Sequence, residues 1–103
     1  MKQAYPSPQA EADVDQVVDH YLRETDIDIA VGFITAYDEA IAHIRNFPGT
    51  GSRRYAPPVG PLELRFWLLT RFPYAVFYIE RETHIDIVRV LHQSRDLPAE
   101  LEH

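Results

Sequence analysis

The chain of 103 residues contains no cysteine, one lysine and one tryptophan. Without cysteine it can form neither a disulfide nor a thiolate metal site, which favours a reducing cytoplasm as its compartment. No apolar run approaches the roughly 20 residues of a membrane-spanning helix, and the N-terminus lacks the apolar stretch of a secretory signal. We therefore expect one globular domain over residues 1–103 with no membrane partner. The last residues, Leu101-Glu102-His103, are typical of an expression-tag scar and are given no functional weight.

Charge is distributed unevenly along the chain. Through residue 46 three basic residues stand against nine acidic ones, whereas from 47 to 98 seven arginines stand against five acidic residues. The formal net charge of −6 lacks the dominant basic character of a nucleic-acid-binding domain. We therefore expect no specific nucleic-acid binding by the chain alone, and a charged partner for its second half.

The first half has the pattern of a helix hairpin. Ser7 followed by Pro8 is a helix start, because the serine hydroxyl can cap a backbone N–H and proline tolerates the first helical position. Apolar residues at three- and four-residue spacing predict a helix to about Arg23 and a second one capped by Thr25, Asp26 or Asp28. Its apolar face comprises Ala30, Phe33, Ile34, Tyr37, Ile41 and Ile44. Pro48 and the glycines beside it end the second helix.

The second half has the pattern of a small sheet. A proline-rich loop over 53–61 precedes three segments rich in β-branched and aromatic residues, at 62–71, 74–80 and 85–92. The short connections between them predict an antiparallel meander. Residues Lys2 to Pro6 could add a short first strand, and residues 95–98 form a tail. The expected fold class is α+β, with the helix hairpin packed on a three-stranded antiparallel sheet.

The motifs resemble one family along nearly the whole chain. Residues 7–13 read Ser-x-x-Ala-x-x-Asp, and 48–51 read Pro-x-x-Gly at the end of the hairpin. A Leu-Arg-aromatic strand at 64–67 and a Phe-Pro-Tyr-x-Val-x-Tyr strand at 72–78 follow. The most specific part is Ile-Val-Arg-Val-Leu-His-Gln-Ser-Arg-Asp at 87–96. This order is similar to the RelE/ParE toxin superfamily, and within it to ParE-like toxins.

The resemblance implies a toxin of a bacterial type II toxin–antitoxin module that is neutralised by a ParD-like antitoxin. ParE-like members are associated with poisoning of DNA gyrase and RelE-like members with cleavage of mRNA on the ribosome. The expectation is therefore a cytoplasmic, non-enzymatic toxin that inhibits DNA gyrase. The alternative is a ribosome-dependent mRNA endonuclease.

The nuclease alternative requires acid–base groups and cations on the sheet. The candidates are His92, Arg89, Arg65 and Tyr78. Arginine is a poor proton-transfer group because it stays protonated. His92 is more often a hydrogen-bonded structural residue at a strand end, and Tyr78 more often a half-buried strand residue.

The antitoxin surface is predicted on the sheet face away from the hairpin, because one hairpin covers only one face. Trp67 and Leu69 share a strand phase with Arg65 and Arg71, so an acidic amphipathic segment would match them. The full predicted set is Arg65, Trp67, Leu69, Arg71, Arg89, His92 and Arg95. If Trp67 lies under the helices instead, the exposed set becomes Leu64, Phe66 and Leu68.

The sequence predicts no metal site and no cofactor. His84 and Asp86 would share one face of a strand, but no third ligand is evident beside them. The glycines at 49 and 51 are not followed by the Lys-Ser/Thr pair of a phosphate-binding loop.

Overall fold

A computed structural model describes residues 1–54 and 63–95 of the chain. Most of the predicted loop over 53–61, the predicted strand start at Leu62, the tail beyond Arg95 and the tag-like residues 101–103 lie outside these ranges. In the described part, four strands and two long helices form a mixed α+β domain, in the order β1 Gln3–Pro6, α1 Pro8–Glu24, α2 Ile27–Asn46, β2 Leu64–Leu68, β3 Tyr74–Glu80 and β4 His84–His92. A 3₁₀ turn, Pro48–Thr50, follows α2. Neither helix is long and apolar enough to cross a membrane.

The helix ends follow the capping chemistry that the sequence predicts. The Ser7 Oγ accepts from the Ala10 N–H at 3.0 Å, and Pro8 is the first residue of α1. Of the three candidate caps for α2, Asp26 fills the position, with Oδ1 accepting from the Ile29 N–H at 3.1 Å. Only Thr25 and Asp26 separate the helices, so they form the predicted hairpin.

The sheet has the order β1-β4-β3-β2. Strands β2, β3 and β4 form the predicted antiparallel meander, and β1 adds a fourth strand that runs parallel to β4. The sheet thus has one strand more than the three expected, and the additional strand is the one considered possible at Lys2 to Pro6.

The helices cover one face of the sheet and build the main core there. Phe33 and Ile44 of α2 are fully buried against Tyr74, Val76 and Tyr78 of β3. Phe33 also meets the Tyr74 ring edge-to-face at a centroid distance of 5.5 Å. Ile34, predicted to lie on the same apolar face, is 41% exposed instead. Its place one residue beyond Phe33 turns it about 100° around the helix, towards solvent.

A β-bulge changes the phase of β4. The register shifts between Phe77 and Tyr78 of β3, which pair with Arg89 and Ile87. The intervening Val88 is therefore an extra residue in β4. Strict alternation would put Leu91 with Ile85 and Ile87, but Leu91 belongs to a second buried cluster on the other face.

Candidate partner-binding surface

Strand β2 lies at one end of the sheet and pairs with β3 along one side only. On its other side, within the part of the chain that the structure describes, β2 forms an isolated antiparallel bridge with Ser52 through two backbone hydrogen bonds. The Ser52 N–H donates to the Phe66 carbonyl at 2.9 Å, and the Phe66 N–H donates back to the Ser52 carbonyl at 2.9 Å. A strand at the end of a sheet carries backbone groups that can pair with another chain.

The loop that carries Ser52 is held by hydrogen bonds to the Tyr78 side chain of β3. The buried Tyr78 hydroxyl donates to the Pro48 carbonyl at 2.6 Å and accepts from the Gly51 N–H at 3.1 Å. Arg65 adds a third contact, because its Nη1 donates to the Gly51 carbonyl at 2.9 Å. Burial raises the pKa of Tyr78 above its ordinary value, although the hydrogen bond from Gly51 opposes this. Tyr78 and Arg65 therefore hold the loop in place.

An apolar cleft lies beside this edge. It has a volume of about 390 Å³ and is lined by Thr50, Ser52, Phe66, Trp67 and Leu68. Leu68 is 47% exposed, whereas Trp67 is half-buried, with its indole stacked on His43 of α2 at a centroid distance of 3.7 Å. Exposed apolar area at a sheet edge is typical of an interface. We call Phe66, Trp67 and Leu68 the β2 edge surface.

Exposed arginines lie at both ends of this surface. Arg53 and Arg54 follow Ser52, whose Oγ accepts from the Arg54 N–H at 3.2 Å. Arg71 is exposed in the turn that follows β2. Its φ of 72° is unfavourable for a residue with a side chain, and the turn is closed by a 2.9 Å bond from the Leu69 N–H to the Tyr74 carbonyl. Apolar and cationic groups thus occur together at this edge. They were predicted on the sheet face away from the hairpin, where the strand residues are instead buried: Leu64, Ala75, Phe77, Ile79 and Leu91.

Some residues predicted to bind the antitoxin are exposed in the structure, and others are buried. Leu69 is buried in the core under the helices and cannot contact a partner, so that part of the prediction is wrong. The reason is the phase of β2, which turns residues 65, 67 and 69 towards the hairpin. Of the alternative set, Leu68 is exposed, Phe66 is half-buried and Leu64 is buried in the second cluster.

Arg89 is engaged inside the domain. Its Nε donates to the Asp13 Oδ2 at 2.8 Å, and its Nη2 donates to Oδ1 at 3.0 Å. The same Oδ2 accepts from the Val90 N–H at 2.9 Å, so one carboxylate of α1 holds both the side chain and the backbone of β4. The Asp13 side chain is only 11% exposed. Asp13 was quoted in the sequence motif but was not predicted as a site residue. Its place in the Ser-x-x-Ala-x-x-Asp motif was the signal that could have identified it.

His92 and Arg95 lie at the far end of β4. The His92 Nδ1 accepts from the backbone N–H groups of Ser94 and Arg95, both at 3.2 Å. Arg95 is exposed, and its Nη2 donates to the Tyr74 hydroxyl at 3.1 Å beside a cleft of about 270 Å³ next to α1.

The four nuclease candidates do not form one cluster. Arg65 pairs across strands with Tyr78, whereas His92 pairs with Tyr74, four residues away along β3. Four residues of a strand span roughly 13 Å, which is too far for Tyr78 and His92 to serve one phosphate as acid and base. Tyr78 is also fully buried, beyond the half-buried position predicted for it.

The side chains of His84 and Asp86 contact each other at the start of β4. The His84 Nε2 lies 3.0 Å from Asp86 Oδ1, and the Arg81 Nε donates to Oδ2 at 2.9 Å. The hydrogen bond from Arg81 is the main cause that lowers the pKa of Asp86. Over residues 1–54 and 63–95, no three metal-ligating side chains come together.

The described part of the chain is a helix hairpin on a small mixed sheet, with apolar and cationic side chains beside the edge of β2. Residues 5–97 match the model of the ParE toxin of type II toxin–antitoxin systems, parDE, so the chain belongs to the ParE toxin family. This confirms the resemblance seen in the motifs.

A solved structure described as the chromosomal ParDE toxin–antitoxin system from P. aeruginosa shares the fold. Its TM-score to this chain is 0.74 at 21% sequence identity, and the match covers 89% of this chain and 96% of that one. No curated protein matches the chain.

Proposed function

We propose that this ParE-type toxin inhibits DNA gyrase by binding it and that a ParD-like antitoxin neutralises it by occupying the β2 edge surface. The family supplies the toxin class, and the separation of Tyr78 from His92 favours action by binding over RNA cleavage. Gyrase as target places this action in the bacterial cytoplasm.

The observation that carries the antitoxin site is the exposed Leu68, with Arg53 and Arg54 at one end of the surface and Arg71 at the other. An antitoxin segment with apolar and acidic side chains matches this surface in both respects, since carboxylates bind guanidinium groups in paired hydrogen bonds. An extended segment can also pair with the backbone of an end strand. Arg71 replaces Arg65 and Arg89 as the main predicted cation, because the last two bind Gly51 and Asp13 within the domain.

The antitoxin test uses the protein encoded by the adjacent reading frame, co-purified with the toxin and titrated by calorimetry. Leu68→Ser and Arg71→Glu are each expected to weaken the complex about tenfold or more, which corresponds to about 1.4 kcal/mol. Both positions are exposed, so the melting temperature should change little. Arg23→Glu, an exposed arginine of α1, is the matched control and should leave affinity unchanged. Full affinity in both edge variants would place the antitoxin elsewhere.

The target test compares two assays. Purified toxin is expected to inhibit supercoiling by DNA gyrase, and added antitoxin should restore it. Induced cells should show no ribosome-dependent mRNA cleavage by primer extension, and His92→Gln should keep most of the toxicity. Cleavage that disappears in a folded His92→Gln protein would instead establish the endonuclease alternative.

A further inference from the structure

A second surface of the molecule has apolar side chains and the opposite charge. Ile27, Val31 and Ile34 follow the i, i+4, i+7 spacing of one helix face, and Leu22 lies in the last turn of α1 next to the hairpin connection. These four side chains are between 41% and 66% exposed, and three of them are large aliphatic residues that share one face of α2. We call them the hairpin patch.

The hairpin patch does not belong to the core. The buried residues of α2 are Ala30, Phe33, Ala36, Ala40 and Ile44, which face the sheet. Ile27, Val31 and Ile34 turn away from that direction by their helical spacing. None of the four patch residues lines the cleft beside the β2 edge surface, so the antitoxin site proposed above does not account for them.

Exposed acidic residues follow the patch along both helices by their spacing. On α2, Asp38 lies one turn beyond Ile34 on the helix face that carries Ile27 and Val31. On α1, Asp19 and Asp15 precede Leu22 by one and two turns on the same side of the helix. Asp26 caps α2 immediately before Ile27. The nearest base in sequence is Arg23, whereas Arg45 lies at the opposite end of α2, where its Nε donates to the Lys2 carbonyl at 3.0 Å.

This charge decides which occupant fits. A second copy placed symmetrically on the patch would bring two sets of carboxylates together, because a two-fold contact pairs each surface with itself. An anionic membrane would be repelled for the same reason. A helix with one apolar face and flanking lysines or arginines would satisfy both the aliphatic groups and the carboxylates.

We propose that the hairpin patch is a docking site for a cationic amphipathic helix of a partner protein. The toxin would then carry two interaction surfaces of opposite charge, one at the β2 edge and one on the hairpin. This proposal does not depend on the antitoxin site, because the two surfaces share no residue.

The test uses isotope-labelled toxin and two synthetic helical peptides, one of leucine and lysine and one of leucine and glutamate with the same apolar face. The lysine peptide is expected to shift the backbone amide signals of residues 18–38 saturably, whereas the glutamate peptide should not bind. Replacing Ile27 and Val31 by serine should weaken binding of the lysine peptide about tenfold. Ile29→Ser is the matched control, because Ile29 is 40% exposed on another side of α2, beside Phe72, and should keep full affinity.

The proposal is overturned if the lysine peptide does not bind, if both peptides bind equally, if the shifts spread over the whole domain, or if affinity is unchanged in the Ile27/Val31 variant. Concentration-dependent shifts at the patch without any peptide would identify a second copy as the occupant and equally refute it. Circular dichroism and amide dispersion of the variant establish that the domain remains folded in each case.

Discussion

The two sides of the sheet are closed in different ways. Beyond the short β1, the outer edge of β4 is bound by the residue that caps α1 and by α1 itself. The Ser7 Oγ donates to the Val88 carbonyl at 2.8 Å, and the Asp13 carboxylate accepts from the Val90 N–H. On the opposite side, β2 has a two-bond bridge to Ser52 and keeps Leu68 exposed beside it. The first side is therefore held by hydrogen bonds within the domain, whereas the β2 side keeps apolar area exposed.

Removing the carboxylate at the closed side is expected to have the largest effect. Asp13→Ala leaves the partly buried Arg89 guanidinium without its bidentate partner and the Val90 N–H without an acceptor. The expected loss is about 2–4 kcal/mol of unfolding free energy, reduced from that of a fully buried pair because Arg89 is partly exposed. Urea unfolding measures it. Asp15→Ala, an exposed acid two residues along α1, should cost less than about 0.5 kcal/mol. Equal losses in both variants would mean that the Asp13 contacts contribute nothing specific.

A smaller effect is expected at the loop beneath the β2 edge. In Gly51→Ala the new methyl would overlap the Tyr78 hydroxyl and lie only 2.8 Å from Tyr78 Cζ. We expect a loss of about 1–3 kcal/mol, because the loop must shift away from its anchor. Gly49→Ala is the control, since a Cβ at Gly49 meets nothing within 4 Å. Its melting temperature should be unchanged or slightly higher, because alanine restricts the unfolded chain more than glycine does. A stable Gly51→Ala protein would show that the loop is not held by Tyr78.

The smallest effect is a pH dependence at the same anchor. Burial raises the pKa of the Tyr78 phenol in the folded state above its ordinary value near 10. The neutral hydroxyl therefore stabilises the fold below pH about 10, and this contribution is lost as the pH rises through the higher folded pKa. Unfolding free energies measured at pH about 8 and about 11 should fall less in Tyr78→Phe than in the parent. Burial also raises the pKa values of Tyr21 and Tyr37, so only the difference between the two proteins reports on Tyr78. An identical fall in both would assign the alkaline loss to other groups.

Much of the fold follows from local patterns. The Ser7 cap, the hairpin break at Thr25 and Asp26, and the three meander strands were all predicted, because capping, helical periodicity and strand composition act over a few residues. The family motifs were equally readable, since they occur in order along nearly the whole chain. Within the site, the association of exposed arginine with apolar strand residues was also predicted, although on partly different residues.

The tertiary structure alone decided which face of each strand is covered. Alternation separates residues 65, 67 and 69 of β2 from 64, 66 and 68, but both sets are apolar enough to be buried. Only packing against α2, with His43 stacked on Trp67, assigns the first set to the hairpin side. The bulge at Val88 likewise changes which sheet face the later side chains of β4 point to. Such an extra residue depends on how two strands pair, so it leaves no signal in the local sequence.

The arginines also show the difference between what the sequence determines and what only the packed structure decides. Composition determined that the second half carries seven arginines through residue 98 and the first half most of the acids. Sequence could not tell that Arg89 binds Asp13, 76 residues earlier in the chain, while Arg71 remains exposed in a turn. Charge is a property of each residue, but the partner of a charge depends on which distant segments the packed core brings together.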